Sequence, residues 1–347
     1  EMLRSLVGSE MCIRDRRMAI DLGTANTVII KEGKIVIDQP SYITMNRKSE
    51  KIEWVGSEAY RRVGKENNDL LTVRPLRDGV VADLNATEHM IRGFIQMART
   101  KKSLFPSALK VVVSVPSGST DVELRAVRDA AEKAGASEVY LIMEPMAAAI
   151  GIGLDVLEPK GNMIVDIGGG TTEIAVISLG GIVSNKSIKV AGDEFTNDIV
   201  DYMKAKHQIR IGEPTAEEIK KNVGSALPEL EAGPDDYTVI GQDLASVLPK
   251  TITVSYREIA GCLEKSVQKI ETAISNALDA TAPELYADIF KDGVYLSGGG
   301  AMLKGLDKRL QDKFQIPFHV AEDPLYAVAK GTHIVLENSN TYSQLFK

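Results

Sequence analysis

The sequence predicts an α/β protein built from two duplicated halves, and three observations support this prediction. Strand-like and helix-like segments alternate along the chain, which is typical of helices that cover a sheet. Residues 18–27 and 163–172 align without gaps and share Met, Asp, Gly and Thr at equivalent positions. At 347 residues, the chain is long enough for two domains that each bury a core.

Composition excludes several classes of protein. A hydrophobic content of 44% and a charged content of 26% are ordinary for a soluble globular protein. The net charge of −7 argues against a general nucleic-acid binder, so we predict no nucleic-acid partner. Cys12 and Cys262 are far apart in sequence and lack nearby histidines, which argues against a disulfide scaffold or zinc site and fits a reducing cytosol. No apolar run approaches the length of a membrane span.

Residues 1–17 stand apart from the globular pattern, which begins abruptly at Met18. Apolar residues at helical spacing lie there among arginines, so one interpretation is a short amphipathic membrane anchor. The other interpretation is a non-native or disordered leader. We favour the leader and exclude residues 1–17 from fold reasoning.

The first half is predicted to span residues 18–153, with a small insertion subdomain at about residues 40–72. Predicted strands lie at residues 19–22, 27–31, 34–37, 42–45, 110–115 and 139–143. Predicted helices lie at residues 85–100 and 146–150, and another helix begins at a capping box of Thr120 and Glu123 and ends at Gly135.

The second half is predicted to span residues 154–338, with a small insertion subdomain at about residues 191–254, followed by a polar, mobile tail at residues 339–347. Predicted strands lie at residues 163–167, 173–178, 180–190 and 293–296. Predicted helices lie at residues 196–206, 256–280 and 302–311, and one more begins at a capping box of Thr215 and Glu218.

The turn after strand 163–167 is the central candidate site. Gly168, Gly169 and Gly170 let backbone amides close on a ligand, and successive amides in such a turn form an anion-binding concavity. A tight hairpin without a ligand is the alternative interpretation. The second copy, at residues 18–27, favours a pair of turns that hold a polyphosphate, with Asp21 and Asp166 holding a hydrated Mg²⁺.

Three further segments carry chemical hypotheses. The glycine turn at residues 297–301 is predicted to admit a base or ribose, although it also fits a plain strand–helix turn. Glu144 follows a strand and is placed to orient an attacking water, although the dipole of the helix that it begins also favours a glutamate there. The apolar pair Leu104 and Phe105 lies beside basic residues in the sequence, which suits either an anionic lipid surface or a loop folded onto its own helix end.

The combination of motifs resembles one protein family. The sequence resembles the MreB family of bacterial actins, within the superfamily of actin, sugar kinases and heat-shock ATPase domains, over residues 18–338. The motifs that carry the resemblance are residues 20–27 (IDLGTANT), 74–80 (RPLRDGV), 115–118 (VPSG), 144–151 (EPMAAAIG), 165–173 (VDIGGGTTE) and 297–301 (SGGGA).

The resemblance implies an actin-like fold, with four subdomains around a nucleotide cleft, and ATP with Mg²⁺ as ligands. It implies that Glu144 and Thr171 orient the hydrolytic water. It also implies phosphate contacts from Gly23, Thr24, Ala25, Asn26, Gly168, Gly169, Gly170 and Thr171, adenosine contacts from Glu217, Glu218, Ile219 and Lys220, and base and ribose contacts from Gly298, Gly299, Gly300, Ala301 and Met302.

The resemblance also implies a cellular role. Family members form antiparallel double protofilaments at the inner face of the cytoplasmic membrane, hydrolyse ATP slowly, and guide lateral wall synthesis with the shape proteins RodZ, MreC and MreD. Leu104 and Phe105 occupy the family's membrane-insertion loop. A small-molecule kinase of sugar-kinase type and a plasmid-segregation actin, both with the same fold, are the alternatives.

Overall fold

The computed structural model describes residues 17–98 and 109–347, which divide into two compact units. The first unit comprises the described residues up to Pro159 together with Ser178–Ile182 and Tyr326–Lys347. The second unit comprises Lys160–Ile177 and Val183–Leu325. Residues 1–16, and the predicted membrane contacts Leu104 and Phe105, lie outside the described residues.

The first unit contains a five-stranded sheet and helices that cover it. The strands of the whole unit, including those outside this sheet, are β1 (Arg17–Leu22), β2 (Asn26–Lys31), β3 (Lys34–Pro40), β4 (Ile43–Asn46), β5 (Ile52–Val55), β6 (Leu70–Val73), β7 (Leu76–Arg77), β8 (Val80–Val81), β9 (Lys110–Val115) and β10 (Glu138–Met143). Its helices are α1 (Ser57–Tyr60), α2 (Leu84–Ala98), α3 (Asp121–Lys133), α4 (Glu144–Ile152) and α10 (Ala327–Glu337).

The second unit is built around a sheet of the same size. The strands assigned to this unit, including those outside this sheet, are β11 (Asn162–Ile167), β12 (Thr172–Ser178), β13 (Gly181–Ile188), β14 (Ile209–Arg210), β15 (Tyr237–Asp243), β16 (Pro249–Val254), β17 (Val294–Ser297) and β18 (Phe318–Val320). Its helices are α5 (Gly192–His207), α6 (Glu213–Val223), α7 (Tyr256–Asp279), α8 (Pro283–Asp292) and α9 (Leu306–Phe314).

The two five-stranded sheets share one topology. Their orders are β10-β9-β1-β2-β3 and β18-β17-β11-β12-β13. In each sheet an antiparallel hairpin surrounds a glycine turn, with Leu22 opposite Thr27 in one and Ile167 opposite Thr172 in the other. The first strand of each hairpin also pairs in parallel, β1 with β9 and β11 with β17. The predicted duplication of an α/β half is therefore confirmed.

Burial on both faces explains the apolar runs that mark the central strands. Val111, Val112 and Val113 of β9 are fully buried, because helices lie against both sides of the sheet. The six residues of β11 are all buried, and they include Asn162 and the carboxylate of Asp166. Asp166 is thus a charged group inside a core strand, which marks it for chemistry rather than packing.

One of the two predicted capping boxes forms and the other does not. The capping box of Thr120 and Glu123 forms at the start of α3, as predicted. The predicted capping box of Thr215 and Glu218 is wrong, because α6 begins at Glu213, after Gly212, without a side-chain cap. Pro214 fits the first turn of a helix, where its missing N–H is not needed, and this allows the earlier start.

The predicted helix at residues 302–311 also begins later in the structure. A 3-10 turn spans Gly299–Met302, and α9 starts at Leu306. Gly305 has a φ of 74°, a left-handed conformation that separates the two segments.

The C-terminal residues correct the prediction of a mobile tail. Leu345 is buried, the amide of Lys347 donates to the carbonyl of Leu141 at 3.0 Å, and the ring of Phe346 lies 4.8 Å from that of Tyr140. The two apolar residues near the end of a polar segment therefore attach it to β10 of the first unit.

None of the helices within the described ranges is long and apolar enough to cross a lipid bilayer.

Candidate functional site

The first glycine turn, between β1 and β2, leaves no space for a side chain at its start. A Cβ at Gly23 would lie 2.6 Å from the carbonyl oxygen of Asn26. Thr24 is mostly buried, and its hydroxyl accepts a hydrogen bond from the amide of Gly79 at 3.2 Å. The turn is therefore held against Gly79, which lies just after β7 and within the RPLRDGV motif of residues 74–80.

Ser41 fixes the same turn from the other side. Its hydroxyl donates to the carbonyl of Gly23 at 2.7 Å, and its amide donates to the carbonyl of Ala25 at 2.8 Å. It also shares a 2.9 Å hydrogen bond with the hydroxyl of Thr27. This fully buried serine was not predicted as a site residue.

The second glycine turn, between β11 and β12, is held by the first turn of α5. The amide of Gly168 donates to the carbonyl of Thr171 at 2.9 Å, which closes the hairpin. The carbonyls of Gly168 and Gly169 accept hydrogen bonds from the amides of Gly192 and Asp193 at 3.1 and 2.7 Å. Two amides of the N-terminus of α5 are therefore satisfied by carbonyls of the turn.

The third glycine turn lies against the second within the same unit. Gly298 has a φ of 80°, and a Cβ there would lie 2.3 Å from the carbonyl oxygen of Ile167. A Cβ at Gly300 would lie 2.2 Å from the Ile167 side chain. Because Ile167 directly precedes Gly168, only glycines at these positions allow the two turns to meet.

The remaining residues of the third turn differ in exposure. Gly299 stands close to Leu325, to which a Cβ would lie 3.1 Å away. Ala301 is buried, whereas Met302 is 57% exposed. Met302 is thus the residue of this turn with an exposed apolar side chain.

Asp166 is the carboxylate of the second unit that was predicted to hold Mg²⁺. The hydroxyl of Ser297, opposite it on β17, donates to its Oδ1 at 2.6 Å. The pKa of Asp166 is raised to about 6, and burial is the largest cause. The hydrogen bond from Ser297 opposes this rise, and the negative charge of Glu173 adds to it.

A divalent cation fits this environment. Among the described residues, no Lys, Arg or His contributes to the electrostatic environment of Asp166, and Glu173, its register partner across the hairpin, adds a second negative charge. A bound cation would supply the missing positive charge and favour the ionised form of Asp166. The described ranges contain no cluster of three or more His, Cys, Asp or Glu side chains for a metal, but Mg²⁺ commonly uses one or two carboxylates with phosphates and waters.

Asp21 occupies the equivalent position in the first unit. The hydroxyl of Ser114, which pairs with it on β9, donates to its Oδ1 at 2.9 Å. Ser114 is 1% exposed and was not predicted as a site residue.

The predicted adenosine contacts lie on α6, where a charged network joins this helix to α5. The ammonium of Lys220 lies 2.6 Å from Glu217, 2.8 Å from the carbonyl of Gly192 and 2.9 Å from the hydroxyl of Thr196. Burial opposes ionisation of Glu217, but Lys220, Thr196 and Lys221 outweigh it and lower the pKa of Glu217. Lys220 thus contacts the residue that hydrogen-bonds the second glycine turn.

The other two predicted residues of α6 differ in burial. Ile219 is fully buried in the core of the second unit. Glu218 is exposed and lies 3.7 Å from Lys221.

The C-terminal end of α6 is attached to the segment that follows the third glycine turn. The amide of Ala226 and the hydroxyl of Ser225 donate to the carbonyl of Lys304 at 2.8 and 3.2 Å. The ammonium of Lys304 donates to the carbonyl of Asn222 at 2.8 Å. The predicted adenosine residues on α6 and the predicted base residues of the third turn therefore belong to one connected part of the second unit.

The two predicted catalytic residues lie in different units. Glu144 is buried at the first residue of α4. Thr171 is 8% exposed, in the second glycine turn.

Sequence reasoning missed the polar residues that hold the turns, namely Ser41, Ser114 and Thr196. Ser114 had a recognisable signal, since it is a polar residue inside an apolar strand. Ser297 stands in a quoted motif, but its bond to Asp166 was not predicted.

Comparisons with known proteins agree with this geometry. The family model described as MreB/Mbl protein matches residues 15–344. The cell shape-determining protein Mbl of Bacillus subtilis (strain 168) is 45% identical over 324 residues, which cover 93% of this chain and 96% of the relative. The cell shape-determining protein MreB of Escherichia coli (strain K12) is 43% identical over 325 residues, which cover 92% of this chain and 93% of the relative.

Solved structures show the same fold. MreB 5 of Spiroplasma citri, solved with AMPPNP and with ADP, superposes with a TM-score of 0.88 at 36% identity and covers 94% of this chain and 98% of that one. A chain of the MamK double helical filament superposes with a TM-score of 0.77 at 19% identity, covering 92% of this chain and 99% of that one, and shows the fold alone.

Proposed function

Because the chain belongs to the MreB/Mbl family and has its actin-like fold, we propose that it is an ATP-dependent filament protein that determines cell shape. The relatives named cell shape-determining proteins match along nearly the whole chain, which supports the same role here.

Nucleotide binding is the first part of this proposal. The Spiroplasma relative was solved with AMPPNP and with ADP, at 36% identity. In this chain the phosphate contacts are the two hairpin turns, residues 23–26 and 168–171, whose glycines bring backbone amides to an anion. The adenosine contacts are the exposed parts of Glu217, Glu218 and Lys220 on α6 and the turn from Gly298 to Met302.

Mg²⁺ is the second part. Asp21 and Asp166 would bind it through water, and the absence of a neighbouring cation from the described surroundings of Asp166 supports this assignment. When bound, the ion would offset the negative charge of the phosphates, to which the hairpins contribute no lysine.

Slow hydrolysis of ATP is the third part. Glu144, held at the start of α4, would orient the attacking water, and the hydroxyl of Thr171 would assist it. Hydrolysis in this scheme times filament turnover and does not serve metabolism.

Assembly and location complete the proposal. The chain would associate with copies of itself as antiparallel double protofilaments at the inner face of the cytoplasmic membrane. It would there organise lateral cell-wall synthesis with RodZ-, MreC- and MreD-type proteins. Leu104 and Phe105, flanked by Arg99, Lys101 and Lys102, would contact anionic lipid.

The observation that carries the proposal is the adjoining pair of glycine turns in the second unit, next to a buried carboxylate to which no described Lys, Arg or His side chain contributes a charge. The test is sedimentation of the protein with ATP, with ADP and without nucleotide, each with Mg²⁺ or with EDTA. We expect pelleting with ATP and Mg²⁺ that is reduced in the other conditions. A protein that stays monomeric in every condition, or transfers phosphate from ATP to a sugar, would contradict the filament function and favour the kinase alternative.

A further inference from the structure

The two candidate metal-binding aspartates have the same type of partner. Asp21 and Asp166 are the next-to-last residues of β1 and β11, and one more residue separates each from its glycine turn. Each is paired in register with a serine on the parallel neighbouring strand, Asp21 with Ser114 and Asp166 with Ser297. Each serine hydroxyl donates to Oδ1 of its aspartate, at 2.9 and 2.6 Å.

This repetition is not explained by packing. Ser114 and Ser297 are 1% and 0% exposed, at positions where the neighbouring strand residues are aliphatic. Burial of a hydroxyl is unfavourable unless it forms a hydrogen bond, and an alanine would fill the same strand position without that requirement. The same serine–aspartate pair occurs in two units whose sequences have otherwise diverged at most positions of these strands.

A hydroxyl that donates to one carboxylate oxygen limits rotation of that carboxylate. Side chains that ligate metals generally depend on such partners for their orientation, and loss of a partner lowers metal affinity even though the partner never touches the ion. The backbone of both serines is fixed by the parallel pairing, so the donor stays in place whether or not a ligand is present.

We propose that Ser114 and Ser297 are positioning residues that orient the carboxylates of Asp21 and Asp166 for a nucleotide-bound Mg²⁺. This inference rests on the proposed function, since it assigns these residues to the metal side of the ATP site. Removal of the hydroxyl should lower Mg²⁺ affinity more at Ser297 than at Ser114, because the hydrogen bond of Ser297 is the shorter one and its partner Asp166 is only 5% exposed.

The test measures metal dependence separately from nucleotide affinity. Binding of a fluorescent ATP analogue is titrated with Mg²⁺ for the wild-type protein and for Ser114→Ala and Ser297→Ala, and is also measured in EDTA. We expect the half-saturating Mg²⁺ concentration to rise by about 10- to 100-fold in the alanine variants, by analogy with other partners of metal ligands. Affinity in EDTA should change by less than about threefold, since the hydroxyls act only through the metal ligands.

Conservative and matched variants separate positioning from stability. Ser297→Thr and Ser114→Thr keep the hydroxyl and should restore most of the Mg²⁺ affinity. Ser178→Ala removes another buried strand serine, outside the two pairs, and should bind Mg²⁺ as the wild type does. If Ser297→Ala does not fold, the Ser114 variants test the proposal in the other unit.

The outcomes distinguish the two hypotheses. Alanine variants with the Mg²⁺ dependence of the wild type would overturn the positioning role and leave the proposed function intact. An equal loss of affinity with and without Mg²⁺ would also overturn it, because that pattern indicates a structural role only. A wild-type protein whose nucleotide binding does not respond to Mg²⁺ would overturn the proposed function and this inference together.

Discussion

The raised pKa of Asp166 predicts how the stability of the metal-free protein depends on pH. Its pKa is about 6 in the folded protein because of burial, against 3.8 for an ordinary aspartate. Because the pKa of Asp166 is higher in the folded protein than in the unfolded chain, protonation of Asp166 stabilises the fold. This contribution to the free energy of unfolding is complete below pH 3.8 and is lost as the pH rises through 6. For a shift of about two pKa units the loss is about 3 kcal/mol.

Asp166→Asn should remove this penalty. In EDTA and without nucleotide, we expect the free energy of unfolding of the variant to exceed that of the wild type by up to about 3 kcal/mol at pH 7.5, with little difference near pH 4. Urea unfolding at several pH values measures this, with the exposed Asp312→Asn as a control. A difference that is constant with pH would show that the carboxylate does not titrate as described.

The same residue carries the metal prediction. Asp166→Ala should abolish Mg²⁺-dependent binding of ATP, since it removes a buried carboxylate to which no Lys, Arg or His of the described residues contributes a charge. Fluorescence titration with an ATP analogue measures the loss. Retained Mg²⁺-dependent binding would exclude Asp166 from the site.

Glu144 carries the hydrolysis prediction. Glu144→Gln keeps the size of the side chain but removes the carboxylate that we propose orients the water, so we expect ATP binding to persist while phosphate release slows by about 100-fold. Glu132→Gln, on the exposed face of α3, is the matched control. Phosphate release at the wild-type rate in the Glu144 variant would contradict the assigned role.

At the scale of elements, α4 depends on its crossing with α10. A Cβ at Gly331 would lie 1.7 Å from the carbonyl oxygen of Ala147, and one at Gly151 would lie 1.9 Å from that of Ala327. The two helices of the first unit therefore approach at the distance that only paired glycines allow. Because α4 begins with Glu144, this crossing also supports the candidate catalytic residue.

Gly331→Ala should force these helices apart. We expect a loss of about 3 kcal/mol in the free energy of unfolding, as in other overpacked cores. Gly261→Ala is the matched control, because it lies in α7 with no atom within 4 Å of the added Cβ, and it should stabilise the protein by about 0.5–1 kcal/mol. Chemical denaturation measures both, and equal effects of the two substitutions would refute the close crossing.

The elements also show what sequence patterns can and cannot predict. Apolar runs and glycine turns located the central strands, because burial on both faces leaves near-continuous apolar runs. The start of α6 was misplaced because the spacing of Thr215 and Glu218 matches a capping box, whereas the helix begins at Glu213, after Gly212, with Pro214 in its first turn. The glycines at 298 and 300 were predicted to admit a ligand, but their contact with Ile167 depends on two distant segments meeting, which no local pattern reports.

For the whole molecule, ten aligned residues sufficed to predict a duplication that extends over two sheets. The sheet orders and hairpin registers coincide, from Leu22–Thr27 to Ile167–Thr172. The partners of the aspartates were not predicted, because Ser114 lies 93 residues from Asp21 and Ser297 lies 131 residues from Asp166. The two aspartates of the candidate site could thus be predicted from the sequence. Their serine partners could not, because the pairing of parallel strands that brings each serine to its aspartate is known only from the structure.

The proposed membrane location is a property of the whole molecule, and the apolar pair Leu104 and Phe105 offers a test of it. Leu104→Ser together with Phe105→Ser should release ATP-assembled protein from anionic vesicles, because burial of two large apolar side chains contributes about 1.5–3 kcal/mol each. Flotation with vesicles measures lipid binding, and pelleting without vesicles should be unchanged, since the substitutions do not touch the glycine turns. Leu179→Ser with Val183→Ser removes an apolar pair that is 67% and 55% exposed on another hairpin, and should float as the wild type does. Undiminished flotation of the Leu104 and Phe105 variant would favour the interpretation in which the tip folds onto its own helix end.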